Sequence, residues 1–471
     1  MKIFFYVFGN TSYIFNEVIK LSQQRKKNIE WGMIYPRSVY KESATDLVKR
    51  ENIFYLFNDF DKVYNSIDTT IDIDDSKWID NIHTIIESSK FGYKKENSKR
   101  QLKVIHTLYK LYKDFLINNR PDYLVFPDIE TVNGVLLLNI CKELDIEVMV
   151  TVHTRQIDTS FFAQDYRESL PIYFGEFNSQ DIERAKSFIL NPIEKAIIGN
   201  QRPEQKIEIK PYANIFKRLI NSIQSYFRYE RQGIFDTNLY LRIRLNFEKY
   251  FEIYRELLFN YYQINFFDIK SKNDKIPNRY ILFLLQVTPE SSINTYSQYF
   301  IEQERAIDLI RLNMPTELTL LVKEHPAMRG MRNSKWYKKM RKKSGISLVS
   351  HTVDTMNLVQ KSHLVATITG SVGLECYHIN KPVMMFGQTF FSHLVNRFNC
   401  IDNLKVKLKS PKDNIITQKE KKIEDIAKIY NISYDFFVHE PFHFERVMTK
   451  NNISNLLEAI ILHISKVNKF V

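Results

Sequence analysis

Two stretches of the chain alternate short apolar, β-branched runs with helix-spaced segments, and each repeats the alternation often enough to build a parallel sheet. In the first, Lys2–Phe8 is an apolar run broken at Gly9-Asn10, and Ser12–Arg25 has helical spacing. Asn52–Phe57 and Tyr123–Pro127 are further runs, Glu130–Leu144 reads as a helix, and Val148–Val152 as a strand ending in His153-Thr154-Arg155. In the second, Tyr280–Leu285, Glu317–Val322, Ile346–Val349, His363–Ile368 and Pro382–Phe386 read as strands, the last of them the final one. Helices are expected between them over Tyr299–Leu312, Lys335–Lys343, Thr352–Lys361 and Ser371–Ile379. The intervening 179–267 is poor in Gly and helix-spaced at Ile215–Tyr229 and Leu239–Tyr262. The polar Lys270–Asn278, containing Pro277, is the expected boundary. The expectation is an α/β chain of two Rossmann-like domains, 1–270 with a helical insertion at about 180–267, and 278–425. Helices over 426–471 would pack back across them, Ile423–Val471 reading as helical. Ligands of such folds bind at the carboxyl ends of the strands.

At 471 residues, 44% hydrophobic and 26% charged, the chain suits a globular enzyme of two cores. Its formal charge of +13 attracts phosphates of any kind, whether of nucleic acid, anionic lipid or nucleotide, and cannot choose among them. Cys141, Cys376 and Cys400 form no CxxC pair and read as reduced thiols of a cytosolic protein. The opening MKIFFYVFGNTS has too short an apolar run for a leader and no cleavage site, and no stretch reaches the roughly 20 apolar residues of a membrane span. A cytoplasmic protein that meets the inner membrane only from its surface is expected.

Three motifs carry candidate chemistry. In Val365–Glu375 a β-branched strand ends at Thr369-Gly370, with Ser371 placed to cap the next helix. Gly370 and Gly373 would let a ligand approach the backbone, and the helix start offers N–H groups to an anion. Glu375, one turn on, could accept hydrogen bonds from a ribose diol; an ordinary capped strand–turn–helix explains the same residues equally well. In LLVKEHP (320–326), Lys323 and His325 emerge at a strand end stiffened by Pro326, where both could donate to a phosphate and His325 could assist a leaving group. In LLQVTPESS (284–292), Gln286, Glu290, Ser291 and Ser292 stand where a strand opens into a loop, or simply cap a helix.

Together with TITGSVGLECYHINKPVMMFGQTFF (367–391), these motifs resemble bacterial capsule polysaccharide biosynthesis transferases. Those are GT-B enzymes that use CMP-activated ulosonic acids, Kdo or nonulosonic acids such as pseudaminic acid. The resemblance is specific over about 280–392, weaker over 120–165, and no match is legible over 180–270. It implies that His325 and Ser371, with Thr369 and Gly370 nearby, hold the CMP phosphate, that Gln286 and Glu290 lie beside the donor, and that Glu375 contacts the nucleotide. Cys376-Tyr377-His378 stand where the family pattern has smaller residues such as Ala.

A GT-B enzyme presents its acceptor on the N-terminal domain, so the base that activates an acceptor hydroxyl is sought there. Asp128 and Glu130, at a strand end in Phe126-Pro-Asp-Ile-Glu130, are the candidates, with Glu130 preferred because Asp128 also suits a helix cap. His153 and Arg155 would bind an anionic acceptor or the donor carboxylate, and Gly9, Asn10 and Thr11 would line the acceptor pocket. Asp59/Asp61 and Asp72/Asp74 have the spacing of a metal-holding DxD but are expected in acidic loops, and no metal or cofactor is called for. The basic run Lys335–Lys343 suits an anionic lipid, a polyanionic glycan or a solvated helix face. The expected partners are a CMP-activated acidic sugar and a lipid-linked surface glycan, with no nucleic acid. The alternatives are a CDP-glycerol or UDP-sugar enzyme and, from another class, a non-catalytic basic capsule-assembly protein or a nucleic-acid-binding protein.

Overall fold

The computed structural model describes residues 1–8, 10–36, 46–67, 98–129, 132–155, 159–165, 178–190, 263–288, 290–328, 332–411, 419–439, 441 and 444–470. Gly9, Glu130, Asp72, Asp74 and the helices expected at Ile215–Tyr229 and Leu239–Tyr262 lie outside the described residues.

The first sheet comprises β1 (Lys2–Tyr6), β2 (Glu30–Tyr35), β3 (Ile53–Tyr55), β4 (Tyr123–Phe126), β5 (Glu147–His153) and β6 (Ser160–Ala163), in the order β3-β2-β1-β4-β5-β6. Its pairs are parallel except β5–β6, which is antiparallel. The second comprises β7 (Tyr280–Leu284), β8 (Thr319–Lys323), β9 (Ile346–Val349), β10 (Leu364–Thr367), β11 (Val383–Met385) and β12 (Asn396–Arg397), all parallel, in the order β12-β11-β10-β7-β8-β9. Residues on successive positions of β1, β4, β7 and β10 are buried, as strands covered on both faces require. Counted from its own first strand, each sheet has the order 3-2-1-4-5-6 of the dinucleotide-binding fold. The expected α/β class with two Rossmann-like sheets, the GT-B architecture, is therefore what the chain adopts. The order reverses between β1 and β4, and between β7 and β10. At each reversal the flanking helices leave on opposite faces and open a crevice at the strand ends.

Several elements differ from expectation. β2 went unread because Gly32 interrupts its apolar run. A Cβ there would fall 2.1 Å from the Phe4 ring, so the gap is what lets Phe4 of β1 pass. β6 and β12 are too short to leave a periodic signal. Asp59 and Asp61 lie on a helix, Leu56–Ser66, not in a loop, because Leu56, Phe60 and Val63 at helical spacing turn inward. The helix expected over Tyr299–Leu312 starts only at Glu304, after a 3-10 turn at Gln298–Phe300. Among the described residues the C-terminal region holds two α-helices, Lys419–Ile432 and Lys450–Phe470, and between them a segment that includes a 3-10 turn at Glu445–Met448. In that segment Tyr434 pairs with Ser160 on the β6 edge, and Phe436 and Phe437 are buried. The last helix packs on Thr11–Gln24, with Arg25 bridging to Glu458 at 2.9 Å. Upstream of the polar 270–278, Phe267 is already buried in the second core and Ile269 pairs with Val349.

Candidate functional site

The three sequence motifs end on adjacent strands, β10, β7 and β8, astride the reversal point of the second sheet. Strand pairing thus brings together residues that are far apart in sequence. Gln286, just past β7, braces the crevice floor. Its side-chain Nε2 donates to Thr369 Oγ1 (3.1 Å), and its Oε1 accepts from the Thr369 N–H (2.9 Å). Its backbone N–H donates to Gln303 Oε1 (2.9 Å), and its carbonyl accepts from Gln303 Nε2 (2.9 Å) and Arg332 Nη2 (3.3 Å). Gln286 is buried, and its side chain holds the β7 and β10 exits together. Thr369 in turn donates to the Ser292 carbonyl (2.9 Å), and Ser292 to Glu290 Oε2 (2.9 Å), tying the 286–292 loop to the Gly turn. Ser291 begins a one-turn helix, Ser291–Asn294.

Ser371 does not cap the following helix. It has helical backbone angles (φ −56°, ψ −21°) and its side chain makes no cap hydrogen bond. The N–H of Gly370 donates to Thr367 Oγ1 (3.2 Å) and that of Gly373 to the Gly370 carbonyl (3.0 Å), so Ser371 and Val372 supply the turn's remaining backbone donors. Gly373 serves packing and not ligand approach, since a Cβ there would lie 2.7 Å from Met385 Sδ and 3.0 Å from Phe391. Glu375 follows on the same face. Burial pushes its carboxyl up to about 7, and the Ser371 hydroxyl pulls partway back. A carboxyl shifted this way lends stability below its unfolded value of 4.5, and that contribution fades as pH rises through about 7. Glu375→Gln is therefore expected to match the wild type near pH 4 and to exceed it above pH 7, by about 2–3 kcal/mol in urea unfolding across a pH series. Equal stabilities at pH 8 would show that Glu375 ionises freely. The large Tyr377 and His378 contact two helices. Tyr377 donates to Asp425 (3.1 Å), and His378 meets Phe188 edge-on at 4.4 Å.

After β8, Lys323 is buried, and its ammonium turns toward the end of β9, donating to the His351 carbonyl (3.3 Å). Burial lowers its pKa to about 8, against the pull of Glu324 and Asp354. His325 is half-buried, and its Nδ1 accepts the Ala327 N–H (3.1 Å) from the turn that Pro326 begins. In the neutral ring this leaves the proton on Nε2. Sequence reasoning missed the group that orients this turn. Glu324, 1% exposed, accepts from Arg332 Nε (2.8 Å), the Tyr337 hydroxyl (2.5 Å) and the His325 N–H (2.8 Å). The acid was visible inside KEHP, but its burial depends on partners 8 and 13 residues downstream.

On the first sheet, the exits of β1, β4 and β5 carry Asn10 and Thr11, Asp128, and His153 and Arg155. Thr11 Oγ1 closes the turn after β1, donating to the Phe8 carbonyl (2.8 Å). Asp128 Oδ1 accepts the Ile129 N–H (2.6 Å), a local turn bond. His153 Nδ1 accepts the Arg155 N–H (2.9 Å). The basic helix Ser334–Arg341 forms some of its ion pairs within the chain, Lys339 with Glu304, Arg341 with Asp268 (3.5 Å) and the following Lys343 with Asp308 (2.5 Å), while Lys335, Lys338 and Lys342 are exposed. Its Tyr337 points inward. Among the described residues, no helix is long and apolar enough to cross a membrane and no cluster of three metal-ligating side chains occurs.

The sequence profile of a family described as "Capsule polysaccharide biosynthesis protein" matches residues 184–431. That span takes in 184–270, where no motif was legible. No curated protein matches. Among solved structures, Thermosulfurimonas dismutans KpsC, a beta Kdo 2,7 transferase, aligns at 11% identity over 75% of this chain and 88% of its own, with TM-score 0.32. The UDP-GlcNAc 2-epimerase of Methanocaldococcus jannaschii aligns at 12% identity over 91% and 99%, with TM-score 0.27. The spinosyn rhamnosyltransferase SpnG aligns at 10% identity over 92% and 97%, with TM-score 0.26.

Proposed function

Since the chain belongs to the capsule polysaccharide biosynthesis protein family, whose profile spans just over half of it, we propose that it is a glycosyltransferase moving an acidic ulosonic sugar from a CMP-activated donor to a glycan acceptor. The observation that carries the reading is the convergence of the three motifs at the exits of β10, β7 and β8, where a fold of this order binds nucleotides. The donor is Kdo or a nonulosonic acid such as pseudaminic acid, held by 278–425, and the acceptor is a lipid-linked surface glycan, held by 1–270. The CMP phosphate lies between His325 and the Thr369-Gly370-Ser371 turn, with Glu375 toward the ribose and Glu290 beside it. Gln286 positions that turn.

In the reaction the acceptor oxygen bonds to the anomeric carbon as the carbon–phosphate oxygen bond breaks. The acceptor proton passes to Asp128 or Glu130, and the departing CMP keeps the electron pair. His325 Nε2–H and the Ser371 turn meet the charge that develops on the phosphate, and such preorganised donors contribute most where water is excluded. His153, Arg155, Gly9, Asn10 and Thr11 hold the acceptor. The assay is CMP release from CMP-Kdo and from CMP-pseudaminic acid, with and without capsular oligosaccharide. Acceptor-dependent release with either donor is expected. Conversion of UDP-GlcNAc to its 2-epimer, with neither CMP-sugar consumed, would contradict the reading.

A further inference from the structure

We propose that the exit of β5 and the returning segment after Lys419–Ile432 together form an oxyanion-binding subsite walled by His153, Arg155, His439 and Arg446. The segment is firmly held. Tyr434 and Ser160 exchange backbone hydrogen bonds (2.9 and 2.7 Å), Ser160 Oγ donates to the Phe436 carbonyl (2.9 Å), and the Asn452 side chain bonds both the N–H and the carbonyl of Phe437 (2.8 and 2.9 Å). Phe437 is the hub of the cluster. The His153 ring meets it edge-on at 4.9 Å, His439 stacks on it at 5.6 Å, and the Arg446 guanidinium lies 5.0 Å from its centre. Phe444 closes the far side, 4.3 Å from the His439 ring. Aromatic faces hold a guanidinium and imidazoles at fixed positions with little loss of freedom on binding.

His153 is the residue that points to a ligand. Its Nδ1 is engaged by the Arg155 N–H, while its Nε2 is sealed from solvent with no hydrogen-bond partner among the described residues. A buried polar atom left this way costs free energy that a ligand bond would recover. Burial, and after it the positive charges of Arg155, Arg446 and His439, hold its pKa well below the ordinary range. A phosphate or carboxylate oxygen would accept from Nε2–H and convert that repulsion into attraction. The subsite lies one strand from Asp128, since β5 pairs with β4 and Thr151 Oγ1 donates to the Pro127 carbonyl (2.8 Å). Arg446 and His439 come from a segment that sequence reading had taken for helix, so neither was a candidate.

This deepens the acceptor half of the proposed function. It rests on that reading only for which molecule brings the anion: the phosphate of a lipid carrier or the carboxylate of an acidic sugar. The test is calorimetric titration of inorganic phosphate and of glucuronate into the full chain carrying His325→Ala, which removes the donor-side histidine. Saturable phosphate binding is expected, weakened at least tenfold by Arg446→Gln and, separately, by Arg155→Gln, and unchanged by Lys338→Gln on the basic helix. The Arg155 variant keeps the test valid should the Arg446 stack prove necessary for folding. Both anions competing for the site would identify an acidic sugar as the source, and phosphate alone a carrier phosphate; each supports the subsite. Binding equal in both arginine variants and their parent would overturn it. No nucleotide is used, so failure of the CMP reading would leave this result standing.

Discussion

Replacing His325 with alanine is expected to lower CMP-sugar turnover by roughly 10²–10⁴-fold, the usual contribution of a positioned proton donor. The ring sits at the exit of β8, its Nδ1 fixed by the Ala327 N–H, so a neutral imidazole presents Nε2–H as its donor. Removing it deletes the turn bond to the Ala327 N–H, and the side chain is only half-buried. Stability should fall by about 1 kcal/mol, the ordinary value of such a bond. The two readouts separate chemistry from folding: steady-state kinetics should collapse while urea unfolding barely moves. Near-normal turnover in a folded variant would remove His325 from the site.

Glu324→Ala should have the largest effect on stability, roughly 3–5 kcal/mol, because it leaves the Arg332 guanidinium buried without its carboxylate. It also leaves the Tyr337 hydroxyl, which burial and Glu324 together hold protonated, without an acceptor. The His325 N–H loses its partner as well, so the phosphate-facing turn should loosen. Arg332→Met combined with Glu324→Ala should recover much of the loss, since removing both charges costs less than stranding one. Chemical denaturation of the single and double variants measures this. A single variant within 1 kcal/mol of wild type would mean that water reaches the pair.

The contrast between those two residues shows what the sequence could convey. His325 was legible because a β-branched strand running into Lys-Glu-His-Pro places a histidine at a sheet's carboxyl edge by local rules alone. Both sheets were legible in outline for the same reason. Glu324 was not, because a glutamate at a strand exit usually faces water, and only the fold brings Arg332 and Tyr337 against it. Gln286, Ser371 and Gly373 lie in the three motifs and serve there as a brace, a helical first-turn residue and a close contact beneath Met385. Motif spacing places a residue at the site, but burial and partner choice decide what its side chain does. Arg446 escaped for a more global reason, since its neighbourhood is created by the chain returning to β6.

The most direct measurement is thermal denaturation of the full chain with CMP, CDP, UMP, UDP, GDP and ADP. A ligand near 100 times its dissociation constant stabilises a fold by roughly 2.7 kcal/mol. The account predicts that CMP raises the unfolding temperature, that the other nucleotides do so much less, and that His325→Ala abolishes the shift. Stabilisation by UDP with none by CMP, or a CMP shift that survives in His325→Ala, would contradict the donor site described above.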